Sequence, residues 1–196
     1  MTYPFFLYKF VKKKALKTYF RQYKPFFIFL TRFFLVYVVL TVAYQTFLNR
    51  AAKNEADEIT QSVAAQTEQL LTLINYNALV RQHRSQPSMM LMLEDVYVAR
   101  VVEGCNAVSV IILFAAFVVA FKGRFAATVL YIIGGCVIIH TLNVIRIALL
   151  SIALLKYPEH EHLLHGVLFP LFIYGVVFGL WVVWVNKFSL HASKTA

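Results

Sequence analysis

The stretch "FAATVLYIIGGCVIIHTLNVIRIALLSIALL", residues 125–155, decides the fold. It holds no acidic residue, and its one formal charge, Arg146, stands among Ile, Val, Ala and Leu. As a single α-helix it would be about 46 Å long at 1.5 Å per residue. The hydrocarbon core of a bilayer is roughly 30 Å thick. Such a helix must therefore tilt, project beyond the membrane or bend, with Gly134 and Gly135 as the candidate bend.

The rest of the chain has the same character. Over 196 residues, 60% are hydrophobic and only 14% charged, which is a membrane-protein composition. Apolar spans are read at 25–47, 101–121, 125–155 and 165–185. The first, "PFFIFLTRFFLVYVVLTVAYQTF", is interrupted by Arg32, close enough to its start to snorkel toward the head groups. It is too long for a signal peptide and is followed by no small-x-small cleavage site, so it is read as a retained anchor. The second span ends at the basic turn Lys122 to Arg124, and the fourth opens with His165. The expected fold is an all-α polytopic membrane protein, with about four transmembrane helices and a small extracytoplasmic helix and hairpin. No internal repeat or low-complexity tract is present.

Charge gives the orientation. The net charge of +10 is uneven, with Lys9, Lys12, Lys13, Lys14, Lys17, Arg21 and Lys24 all before the first span. Beside a hydrophobic span such a cluster belongs at an anionic cytoplasmic leaflet rather than on nucleic acid. The Lys122/Arg124 turn and Lys187 agree. Segments 1–24 and 186–196 are therefore expected in the cytoplasm, and 48–100 and 156–164 outside a multi-pass cell membrane. In the outer segment Ile59, Val63, Leu70, Leu73 and Ile74 recur at near-helical spacing, which predicts an amphipathic helix continuing out of the first span. "MMLMLEDVYVARVV" then reads as two extended runs around Glu94 and Asp95, a hairpin leading into Cys105.

This topology brings three chemically capable residues to one membrane level. Cys105 lies at the outer end of the second span, Arg146 near the outer end of the third, and His165 at the start of the fourth. Each has an ordinary structural reading: packing for the cysteine, snorkelling for the arginine, an interfacial position for the histidine. Arg146 is the hardest to dismiss, because an ion among apolar residues is costly to desolvate. Asn143, one turn earlier, is placed to support it. The chemistry that fits the set is thiol acyl transfer: Cys105 attacks a peptide carbonyl, His165 handles the proton, and Arg146 stabilises the oxyanion. Should Cys105 begin the second helix, its free N–H groups would also favour a thiolate. Glu103 could orient His165 or pair with Arg146. Ser109, one turn after Cys105, could contact a substrate backbone or, more ordinarily, its own helix. Asn106 is a further supporting candidate.

"EGCNAVS" with Cys105, "NVIR" with Asn143 and Arg146, and "LLHGVLFP" with His165 resemble, in that order, the motifs of the exosortase/archaeosortase family of membrane transpeptidases. Order, spacing and length look most like the compact branch called exosortase F. The resemblance runs from the first span nearly to the end of the fourth. Many members carry cysteine-serine-glycine where this chain has Cys105, Asn106 and Ala107, and the larger members have more spans. The resemblance implies catalytic roles for Cys105, Arg146 and His165. It implies exported protein substrates with a C-terminal sorting signal: a short motif, a transmembrane helix and a basic tail. It implies cleavage through a thioester and transfer to an acceptor amine on a glycan or lipid, and it leaves room for an associated membrane protein.

Two enzymatic alternatives and one non-enzymatic alternative compete. A disulfide relay through Cys136 is disfavoured, since that residue lies about 15 Å deeper on its helix than Arg146. A metal or haem site at His160, His162 and His165, with His140, lacks a clear carboxylate or thiolate ligand. No metal and no cofactor is therefore expected. The third alternative is a non-catalytic membrane scaffold or chaperone, and it would tolerate loss of Cys105.

Overall fold

A computed structural model describes residues 21–49 and 55–189. Most of the basic N-terminal segment and the tail beyond residue 189 lie outside these residues. Helix α1, Lys24–Leu48, opens with Pro25 in its first turn, where the missing N–H costs nothing. None of its side chains is fully buried. A ladder of Phe29, Phe33 and Tyr37 runs along it with ring centroids 6.3 and 6.2 Å apart.

Helix α2, Glu58–Leu73, is a separate element and not a continuation of α1. Asp57 caps it: Oδ1 accepts from the N–H groups of Ile59 and Thr60 at 3.1 and 3.0 Å, satisfying donors that a helix start leaves open. Its buried face is Thr60, Val63, Ala64, Thr67 and Leu71. Of the expected stripe only Val63 is fully buried, and Leu73 and Ile74 are exposed. The periodicity was real, but the buried face is turned toward small and hydroxyl residues that allow close packing.

Strands β1 (Ala78–Gln82), β2 (Ser88–Leu93) and β3 (Val96–Val102) form an antiparallel sheet in that order. The β2–β3 hairpin turns at Glu94 and Asp95, both with positive φ, as a tight two-residue turn requires. The third strand, β1, is the addition to the expected hairpin.

β3 and a 3₁₀ turn, Glu103–Cys105, take up the start of the expected second span. Ala107 then adopts a left-handed conformation, φ 63°, and helix α3 begins only at Val108, ending at Ala120. The helix read at 101–121 is thus corrected to a shorter one, about 20 Å long. Cys105 is not in its first turn, and Ser109 is not one helical turn from Cys105. Asn106 Oδ1 caps the Val108 N–H at 3.0 Å.

Helix α4, Phe125–Lys156, is one unbroken helix. It does not break at Gly134 and Gly135; Gly135 instead lets the Phe114 ring of α3 press on the helix backbone, where a Cβ would collide with it. The second half of α4 projects into a core with α2 and the sheet, where Val144, Ile147 and Ala148 meet Val63, Leu71, Leu91, Leu93 and Val101. Each large aliphatic buried there contributes about 1.5–3 kcal/mol.

The last column, α5, spans Pro158–Phe188. It contains two wide π turns, Leu164–Leu168 and Trp184–Phe188. The first precedes Pro170, which has no N–H to continue the regular ladder. Tyr131 of α4 donates its hydroxyl to the Leu180 carbonyl at 2.7 Å, joining the two helices. Three of these helices are long and apolar enough to cross a membrane, and α3 is a shorter apolar helix. The chain is a membrane-embedded, multi-pass, mostly helical protein.

Candidate active site

The Cys105 segment is held from both sides by amide groups. Asn106 is fully buried, and its Nδ2 donates to the Tyr44 hydroxyl of α1 at 2.8 Å and to Thr60 Oγ1 of α2 at 3.1 Å. Thr60 in turn donates to Asp57 Oδ2 at 2.5 Å. On the other side Asn143 of α4, also buried, donates from Nδ2 to the Cys105 carbonyl at 2.7 Å. Three helices thereby fix a short irregular turn whose own backbone bonds are few. A buried amide with all of these partners is costly to disturb, because each group left unpaired costs about 1–3 kcal/mol.

Asn143 also reaches the cation. Its Oδ1 accepts from Arg146 Nη1 at 3.3 Å, so one side chain touches both the Cys105 backbone and the Arg146 guanidinium. Arg146 is half-buried and its Nε has no hydrogen-bond partner. Among the described residues no carboxylate forms an ion pair with it. Its positive charge is therefore largely uncommitted among those residues, which suits a group that meets charge appearing elsewhere.

A cavity of about 600 Å³ opens between β3, the Cys105 turn, the C-terminal half of α4 and the start of α5. Cys105, Arg146 and His165 all line it, although they come from three distant parts of the sequence. The walls are otherwise mainly apolar, with Ile147, Leu150 and Leu154 from α4 and the Tyr97–Val102 stretch of β3. Cys105 is half-buried and His165, in the π turn of α5, is exposed.

Glu161 lines the same cavity, four residues before His165. It is not among the residues singled out from the sequence, although its spacing of four to His165 was a usable signal. Glu103, in contrast, faces a second cavity of about 830 Å³ on the other side of the Cys105 turn, with Glu55, Asp57, Ser88, Arg100 and Gly104. No ion pair joins it to Arg146 or His165 among the described residues. Burial, and then the negative charge of Asp57, raise its carboxyl above the ordinary range. Ser109 is exposed on α3 and lines neither cavity.

The remaining candidates are engaged elsewhere. His140 bonds through Nε2 to Gln66 Oε1 at 2.7 Å, linking α4 to α2. His160 pairs with Glu159 at 3.2 Å. Cys136 lies one helical stretch below, on α4 between Gly135 and Val137, and does not line the cavity.

Residues 16–187 match the family model described as transmembrane exosortase. No curated protein and no solved structure matches the chain.

Proposed function

The chain belongs to the transmembrane exosortase family, and from that premise we propose that it is a cysteine transpeptidase of the cell membrane, of the compact exosortase F type. Its substrates are exported proteins carrying a C-terminal motif, transmembrane helix and basic tail. The observation that carries the reading is that Cys105, Arg146 and His165 line one cavity, with Asn143 bonded to both the Cys105 segment and Arg146.

In this reading the sheet lies outside the cytoplasm, opposite the Lys122 turn, as the distribution of basic residues favours. Because α3 is only about 20 Å long, Cys105 sits within roughly one bilayer thickness of that turn. A nucleophile at that height suits a scissile bond just beyond the end of a substrate's transmembrane helix.

The Cys105 thiol gives its proton to His165 and its sulfur attacks the peptide carbonyl. The carbonyl oxygen takes the negative charge beside Arg146, whose Nη1 is already steadied by Asn143. Collapse expels the amine of the downstream segment, which takes its proton back from His165, and leaves the upstream protein as a thioester on Cys105. An amine on a glycan or lipid acceptor then attacks the thioester and restores the thiol. Glu161, in the same cavity, is placed to orient His165. An associated membrane protein could present the substrate helix.

The test is expression of the wild type and Cys105→Ala at equal levels in the native cell, with mass measurement of the C termini of exported proteins that end in a helix and basic tail. Tails removed only by the wild type support the proposal, and the added mass identifies the acceptor. Identical processing by both returns the chain to the scaffold reading.

A further inference from the structure

We propose that the groove between the start of α1 and the end of α3, at the end of the molecule opposite the sheet, binds the phosphate headgroup of an anionic phospholipid. Arg21, Lys24, Ile28 and Arg32 follow one another at spacings of three, four and four, so they share one face of the helix. Helical side chains lean toward the helix N-terminus, which carries the Arg32 guanidinium back toward the turn of Lys24. Lys122 arrives from the turn after α3. A cavity of about 370 Å³ is lined by these four cations together with Phe29 and Phe121.

The walls are held in place without any help from a ligand. Phe29 packs on Phe121 with ring centroids 4.6 Å apart and on Phe117 at 5.8 Å, locking α1 to α3. The Lys122 turn is held in turn by Gly123, which pairs with Ser189 and sits against the Trp184 ring.

Among the described residues no carboxylate pairs with these cations. All nine acidic residues fall between positions 55 and 161, and none between 104 and 158. The sequence before residue 55 contains no Asp or Glu at all. Arg32 is half-buried in an apolar helix, where an unpaired cation is costly. An anion from outside the chain supplies the charge that the described residues do not. The surface beside the cations is apolar and exposed, with Phe27 at 41% and Ile28 at 40%. A free phosphate has no use for that surface, whereas a lipid lays its acyl chain along it. Basic pockets between membrane helices recognise anionic headgroups by this combination. The site does not depend on the transpeptidase reading.

The test is native mass spectrometry of the full chain in detergent with equimolar phosphatidylglycerol and phosphatidylcholine. The wild type should retain about tenfold more phosphatidylglycerol, the difference expected of several lysines and arginines acting on one anionic headgroup. The preference should disappear in the Arg32→Gln, Lys122→Gln double variant, persist in Arg32→Lys, and be untouched by Lys156→Gln at the other end of the molecule. Should the double variant not fold, Lys122→Gln alone, on an exposed turn, should still weaken the preference. Equal retention of the two lipids by the wild type, or an unchanged preference in the folded variants, would overturn the proposal. So would displacement of phosphatidylglycerol by millimolar inorganic phosphate, which would make the groove a site for free anions.

Discussion

The Asn143 side chain joins Cys105 to Arg146: its Nδ2 donates to the Cys105 carbonyl at 2.7 Å while its Oδ1 accepts from Arg146 Nη1 at 3.3 Å. A single buried amide therefore sets the position of the thiol's backbone relative to the guanidinium. Aspartate at 143 keeps the acceptor and loses the donor. Asn143→Asp should lower the rate of tail removal by about tenfold to a hundredfold, as expected for loss of positioning by an ångström or so. Single-turnover rates at matched protein levels check this. A role confined to folding would instead lower abundance and leave the rate per molecule unchanged.

Arg146→Lys keeps the charge but replaces a planar fork with a point charge, and it loses the geometry that Asn143 holds. We expect a fall of about a hundredfold to a thousandfold in the chemical step, the usual cost of removing an oxyanion donor. Substrate binding, measured by co-purification of a tailed substrate with the Cys105→Ala background, should be nearly unchanged.

Gly135 and Gly134 make a paired prediction about packing. A Cβ at Gly135 would run into the Phe114 ring, whereas one at Gly134 meets nothing within 4 Å. Gly135→Ala should destabilise the protein by about 1–3 kcal/mol through overpacking. Gly134→Ala should be neutral or stabilising by up to about 1 kcal/mol through helix propensity. Thermal unfolding in detergent distinguishes the two.

Much of this site was legible from sequence because membrane topology is a strong constraint. Alternating apolar spans are expected to bring Cys105, Arg146 and His165 to one end, and in the structure the three line one cavity. What was not legible depended on short, irregular backbone. The apolar run from Val101 to Phe121 looks continuous by hydropathy, yet Val101 and Val102 belong to β3 and the left-handed Ala107 postpones the helix to Val108. That shift of a few residues removes Ser109 from the cysteine's helix face and turns Glu103 into the other cavity. The strand Ala78–Gln82 is short and mixed in polarity, and its pairing with β2 fixes it more than its own residues do. Glu161 falls just before the apolar run that marks the fourth span at His165, whereas the helical column already begins at Pro158.

Glu103 provides a test by pH. Burial and Asp57 raise its carboxyl above the ordinary value of 4.5. A carboxyl with a raised folded-state pKa favours the fold while protonated, so its contribution is present below the ordinary pKa and is lost as pH rises through the folded value. The side chain is exposed, so solvent keeps the effect small. As pH rises from the ordinary carboxyl value through the raised one, the melting temperature of the wild type should fall relative to that of Glu103→Gln. A difference independent of pH would mean that Glu103 is not the titrating group.

The most direct measurement on the central claim is trapping of the acyl-enzyme. The purified chain would be incubated with a peptide carrying a C-terminal signal from a co-exported protein, quenched in acid, and digested for mass spectrometry. The expected result is a thioester adduct on the peptide containing Cys105, labile to hydroxylamine, absent in Cys105→Ala, accumulating when no acceptor amine is supplied and strongly reduced when His165 is replaced by Ala. Tail removal that persists in Cys105→Ala, with no adduct on Cys105 in the wild type, would contradict a nucleophilic role for this cysteine.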